Sequence, residues 1–165
     1  MWARFFKNKN GYLQPWLTRL LSRFYGPFFG AGIRITKVAP DYRTMRVEMP
    51  LTWYNRNYVG VQFGGSIYAM CDPFYMLMLI MILGNEYVVW DKAANVDFIK
   101  PGRNRLIVDF SWSDDEIALI KSKTSTGEKY FHDKEVLIHD STGLLVARVI
   151  KTLYVRRKDP SAKVH

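Results

Sequence analysis

The chain has 165 residues, 48% hydrophobic and 24% charged, which allows one domain with a buried core and excludes a disordered polypeptide. Its single cysteine, Cys71, excludes an intrachain disulfide and a cysteine-based zinc site. The net charge of +9 is an N-terminal property: residues 1–60 hold ten Lys/Arg against two Asp/Glu, and residues 61–165 hold fourteen against thirteen. Such an excess suits either a solvated basic face or attraction to phosphates on a cofactor, a lipid headgroup or a nucleic acid.

Residues 1–32 read as an amphipathic helical appendage. The opening MWARFFKNKN has no continuous apolar stretch of the signal-peptide kind, so a cytoplasmic location is expected. Pro15 suits a first helical position. Trp16, Leu17, Leu20, Leu21 and Phe24 then form an apolar stripe, with Arg19 and Arg23 to the other side. Gly26, Pro27, Gly30 and Gly32 end the helix. Such a stripe packs on the body of a domain or lies on a membrane surface, here the inner face; packing is the commoner fate and is the expectation.

From Ile33 the period changes to two. Ile33, Ile35 and Lys37, then Met45, Val47 and Met49 around Ala39-Pro40-Asp41, spell a pair of strands. Leu51 to Arg56 is a loop. The segment Asn57 to Leu83, NYVGVQFGGSIYAMCDPFYMLMLIMIL, follows as a glycine-bearing entry into an apolar run. Its fully apolar part, Phe74 to Leu83, is short of the roughly 20 residues a membrane span needs, so a buried central helix is expected, bent by Pro73.

After Gly84 the chain is strand-like. Val88, Trp90, Ala94, Val96 and Phe98 alternate with Asp91, Asn95 and Asp97; Leu106 to Trp112 make the next strand. Ser113-Asp-Asp-Glu116 spells a capping box for a short helix to about Lys121. Tyr130 to Asp140 and Leu144 to Val155 form a last hairpin, before a basic tail over 156–165. The simplest packing wraps a curved antiparallel sheet round the central helix, an α+β domain over residues 33–155.

One carboxylate, Asp72, sits inside the apolar run, where burial is costly unless it is paired or used. Gly64 and Gly65 stand where the loop becomes a helix, so free N–H groups there offer a place for developing negative charge. The strand order and these residues together resemble the hotdog-fold acyl-CoA thioesterases, in particular the branch related to phenylacetyl-CoA thioesterase. That pattern is Asn, two residues, Gly, two residues, His-Gly-Gly, and an acid eight residues after the first of those glycines. Asn57, Gly60, Gly64, Gly65 and Asp72 match it, and Phe63 stands in place of the His. The resemblance spans roughly residues 30–155 and includes the closing TGLLVARVIKTLYV hairpin. The whole chain is most similar to a little-characterised branch described as tetrameric acyl-CoA thioesterases, which commonly lack that histidine.

The resemblance implies a hotdog fold and hydrolysis of an acyl-CoA or acyl-carrier thioester, with Asp72 as base or nucleophile and the Gly64 N–H as oxyanion donor. It implies no cofactor beyond the coenzyme A of the substrate, and a homodimer or dimer of dimers. Asn57 is either a group that positions the acyl group and the attacking water or a turn residue. Gly65 permits close approach of the substrate. Lys100, Arg103 and Arg105 cluster at a turn and are candidates for the coenzyme A phosphates, or form a solvated loop. Lys92 either touches substrate or snorkels. His132 and His139 have opposite strand parity and share no face; no metal site, phosphate loop or dinucleotide fingerprint is spelled. Nucleic-acid binding would rest on charge alone and is not expected. A non-catalytic hotdog module holding acyl chains or lipid at a membrane is the rival reading, favoured by Phe63 and the basic N-terminus. Eight helical residues separate Gly64 from Asp72, about 12 Å. Both must lie within about 3 Å of one reacting centre, so the site is expected to combine Gly64 of one subunit with Asp72 of another.

Overall fold

The structure, a computed structural model, describes residues 14–158. The part of the expected appendage before residue 14 and the part of the basic tail after residue 158 lie outside the described residues. Among the described residues five helices and six strands follow one another as α1 (Pro15–Ser22), α2 (Gly26–Ala31), β1 (Arg34–Val38), β2 (Thr44–Met49), α3 (Gly64–Ala69), α4 (Phe74–Leu83), β3 (Tyr87–Phe98), β4 (Leu106–Ser111), α5 (Asp114–Lys123), β5 (Lys129–Asp140) and β6 (Leu145–Arg157).

The six strands make one antiparallel sheet in the order β1-β2-β4-β5-β6-β3. Its inner face is apolar by simple alternation: Met45, Val47 and Met49 on β2, Val108 and Phe110 on β4, Val149, Leu153 and Val155 on β6. The expected alternation in β1 shifts at a bulge between Ile35 and Lys37, so that Val38 rather than Lys37 turns toward the core. Between β4 and β5 the ladder holds only at Leu106–Asp140 and Ile107–His139, and the chain runs through α5 before it returns as β5. The Tyr75 hydroxyl reaches the gap and donates to the Glu135 carbonyl at 3.4 Å.

Helix α4 supplies the other half of the core. Phe74 is fully buried, with Phe28 of α2 at 5.4 Å on one side and Phe110 of β4 at 5.2 Å on the other. The expected single central helix is interrupted. Helix α3 ends at Ala69, residues Met70 to Asp72 form a turn, and α4 starts after Pro73. Proline has no N–H to continue the ladder and its ring clashes with the preceding turn. The run Gly64–Leu83 is long and apolar enough to cross a membrane by length and composition, but here Met70, Cys71, Phe74, Met78 and Leu79 are fully buried within the protein.

Two further expectations are corrected. The N-terminal appendage is two helices, and Gly32, at φ 75°, ends the second in a left-handed conformation that side chains disfavour. Its apolar stripe does not pack on the domain: of Trp16, Leu17, Leu20, Leu21 and Phe24 only Leu17 is buried. In the first half of β3 the faces are reversed. Val89 and Asp91 turn inward while Trp90 stands 62% exposed outside, and a register shift between Asp91 and Ala93 changes parity beyond it.

Candidate functional site

Asp72 lies at the junction of α3 and α4, the position to which the turn and Pro73 bring it. Its side chain is 44% exposed, and one of its oxygens is held twice. The Lys151 ammonium donates to Oδ1 at 2.8 Å, and the Tyr68 hydroxyl donates to the same oxygen at 2.6 Å. Tyr68 is one helical turn before Asp72, and Lys151 reaches up from the inner face of β6. Oδ2 is left for other partners.

Lys151 is fully buried, between Val149 and Leu153 on its strand. A buried lysine is tolerated only with counter-charges, and it has two: Asp72, and Asp91 of β3 at 3.2 Å. The Asp91 contact is an ion pair too poorly aligned to satisfy Oδ1 as a hydrogen bond. The Tyr68 ring lies 5.4 Å from the ammonium. The two carboxyls titrate in opposite directions. Burial works to raise Asp72, but the hydrogen bonds from Lys151 and Tyr68 outweigh it and hold the group below the ordinary aspartate value. Burial raises Asp91, and Lys151 only partly offsets it. Burial likewise lowers Lys151, while its two carboxylates more than restore the charge and leave it raised. Lys151 thus favours the ionised form of Asp72, whose side chain is half open to solvent.

The glycines sit at the start of α3, whose N-cap is Phe63 with no side-chain cap. A Cβ on Gly65 would stand 2.4 Å from the Phe63 ring, and one on Gly64 would stand 3.1 Å from the Phe98 ring. Both positions are therefore flanked by aromatic faces, and Phe63 and Phe98 are exposed. Asn57 is a turn residue by its contacts: its Oδ1 accepts from the N–H groups of Val59 and Val61, both at 3.1 Å, and its backbone pairs with Val61 and Gly60. Lys100, Arg103 and Arg105 are exposed. Arg105 is engaged by Glu48 at 3.3 Å; Lys100 and Arg103 have no side-chain partner among the described residues. Lys92 lies over the Phe131 ring at 3.9 Å on the outer face. Cys71 is buried and its thiol is pushed up by burial, consistent with a core role.

His132 of β5 is largely buried. It faces Trp112, and its Nε2 stands 3.6 Å from Glu116, too far for a hydrogen bond. Burial lowers its pKa. Glu116 belongs instead to the capping box of α5, where Ser113 and Glu116 exchange bonds at 2.9 and 3.2 Å, and to Lys134 of β5 at 2.7 Å. Two open clefts, of about 610 and 520 Å³, are lined respectively by β4 and β5 with Tyr75 and Glu116 at the gap between them, and by the outer faces of β3, β6 and β5. Neither includes Asp72 or Gly64.

Sequence reasoning passed over Lys151 and Asp91. The signal was present, because Lys151 occupies the same parity as Val149, Leu153 and Val155, and an ionisable group on a buried face requires a partner.

Similar folds occur among solved structures. A thioesterase from Haemophilus influenzae matches with a TM-score of 0.65 at 14% identity, covering 95% of this chain and 99% of that one. A Pseudomonas aeruginosa protein of unknown function, described as a probable thioesterase, matches with a TM-score of 0.75 at 19% identity, covering 88% and 99%. A mutant thioesterase from the same organism gives a TM-score of 0.62 at 12% identity, covering 86% and 94%. At these identities the likeness establishes the hotdog fold. No curated protein sequence matches the chain. A family defined as a domain of unknown function, DUF4442, matches residues 15–155, and the chain belongs to that family and has a hotdog fold.

Proposed function

We propose that the protein hydrolyses acyl thioesters, with coenzyme A or an acyl carrier as the thiol. The observation that supports this most directly is the state of Asp72. Its Oδ1 is fixed by Lys151 and Tyr68, its charge is held, and its side chain is half exposed beside an apolar helix on a hotdog scaffold. The free oxygen either takes a proton from a water attacking the thioester carbon or attacks that carbon itself. The Gly64 N–H at the start of α3 receives the developing oxyanion. Asn57 shapes the loop leading to that donor, and the lack of room at Gly65 keeps the turn tight. Lys100 and Arg103 meet the phosphates of coenzyme A.

The site is assembled from two subunits. Two features of the protomer support a dimer. Strand β3 is an edge strand of 12 residues that, among the described residues, pairs only with β6, and long unpaired edges are templates for another chain. Helix α4 is apolar on every side, a composition that calls for burial all round, yet Leu77 is 37% exposed, and Met76, Ile80 and Met81 are only partly buried.

The test is thiol release from acyl-CoAs of graded chain length, by wild type and Asp72→Asn. Release by wild type and at least about a hundredfold loss in the variant are expected. No release at any length, or equal release by both proteins, overturns the assignment.

A further inference from the structure

Helix α1 sits inside out. The residues it turns toward the domain are Leu17, Thr18 and Ser22: Leu17 and Ser22 are buried, and Thr18 shares a 2.8 Å hydrogen bond with the Tyr42 hydroxyl. The residues it turns to solvent are apolar. Trp16 and Leu20, four residues apart on the helix, and Phe24 in the turn that follows it form one ridge and are 62%, 43% and 77% exposed. Arg19 and Arg23, also four apart, form the adjacent ridge, and both are exposed. Helix α2 continues the pattern. Phe28 is its anchor, buried against Phe74, while Phe29 is 72% exposed. The loop beyond extends it again: Tyr54 packs by Gly32 at the end of α2, Asn55 donates to the Ala31 carbonyl at 2.9 Å, and Trp53 beside them is exposed.

We propose that this face docks on the surface of an anionic lipid bilayer. An aromatic and leucine ridge flanked by arginines, on a short surface helix, is the composition that sinks into the headgroup boundary and pairs its cations with lipid phosphates. Charge supports that partner. Among the described residues up to position 40 there are four Lys/Arg (Arg19, Arg23, Arg34 and Lys37) and no Asp or Glu. A basic segment of this kind is attracted to an anionic leaflet. A second copy of the chain is a poorer occupant, because a two-fold contact brings two patches of the same positive sign together. The inference does not depend on hydrolysis. If both hold, the acyl chain reaches the enzyme at the membrane where such chains are concentrated.

The test is co-sedimentation of the full chain with vesicles of phosphatidylcholine alone and of phosphatidylcholine mixed with phosphatidylglycerol, at low and high salt. Wild type is expected to bind the anionic vesicles at least about tenfold better than the neutral ones, and to lose that preference in high salt. Trp16→Ser/Leu20→Ser/Phe24→Ser is expected to lose about tenfold in binding. Because these side chains are largely exposed, its circular dichroism and Tm should match wild type. Arg19→Gln/Arg23→Gln, which leaves every apolar group in place, should weaken only the anionic component. Equal sedimentation of wild type and the apolar variant overturns the proposal, as does failure of wild type to bind either vesicle. So does a halving of the solution mass in the apolar variant by light scattering, which assigns the ridge to a second copy.

Discussion

Asp72 is held below the ordinary aspartate range chiefly by a residue 79 positions away. Lys151 is buried and cannot be hydrated, so its two carboxylates are what make it tolerable. The pairing makes a prediction about pH. The folded-state value of Asp72 is below the ordinary one, so the group remains ionised, and thiol release persists, down to pH values below the usual aspartate range of about 3.9. Lys151→Met removes the main hydrogen bond that opposes burial. In that variant the acidic limb of kcat/KM should move up, while Lys151→Arg should largely keep it low. A limb that stays in place in Lys151→Met would show that Lys151 does not set the charge of Asp72. How much of this was legible in the sequence follows from the same residues. Asp72 stood out because an acid in an apolar run is costly. Its partner did not, because a lysine in a strand looks ordinary until the parity of the strand is known. The parity of β3 was misread because a register shift after Asp91 moves residues from one face to the other, and Trp90 looked like core when Val89 is.

At the scale of elements, α5 was the most legible, because Ser113 and Glu116 are both needed for the same four unsatisfied N–H groups. The structure adds a second duty for Glu116. It also anchors the helix to β5 through Lys134, whose ammonium lies 4.7 Å over the Trp112 ring and 4.8 Å over the Tyr75 ring. Burial works against its charge, but Lys134 and Ser113 overcome it and bring the carboxyl down to about 2. The sign of the linkage is that of a depressed acid: its stabilisation is complete above the unfolded value of about 4.3 and is lost as pH falls toward about 2. Glu116→Gln should therefore cost about 1–3 kcal/mol in urea unfolding at pH 7, and the gap to wild type should close as pH falls through that window. A gap that does not change with pH would assign the loss to packing alone. Phe74→Ala tests the other element that fixes the site, since Phe74 carries α4 between Phe28 and Phe110. A loss of about 3–5 kcal/mol is expected, and less than about 1 would mean that α2 and β4 close over the space. The elements that sequence missed were the short ones. Helix α2 has six residues, two of them glycines and one a proline, a composition that reads as a breaker and forms a helix only because Phe28 has a buried place to go.

At the scale of the whole molecule, the question is which chain supplies which half of the site. Gly64 opens α3 and Asp72 lies in the turn beyond its end; at a helical rise eight positions span about 12 Å, too far for both to touch one reacting carbon. In the two-fold dimer proposed above, Gly64 of one subunit would meet Asp72 of its partner, twice over. That arrangement has a consequence no single-chain site shares. Gly64→Pro removes the donor N–H with little other disturbance, since it stands at the first position of α3, where proline is favoured, and the preceding Phe63 has the extended φ −71°, ψ 129° that proline requires. The Phe98 ring, 3.1 Å from the new Cβ, is exposed and free to turn. Gly64→Pro and Asp72→Asn should each be inactive as pure dimers. When the two are unfolded together and refolded at equal concentration, about half the dimers are mixed, and each mixed dimer carries one site with both mutations and one with neither. Roughly a quarter of wild-type thiol release should return, with the KM of wild type. If activity stays at the level of the separate variants although light scattering and tagged pull-down show that mixed dimers have formed, the donor and the acid act within one chain, and the composite site is wrong.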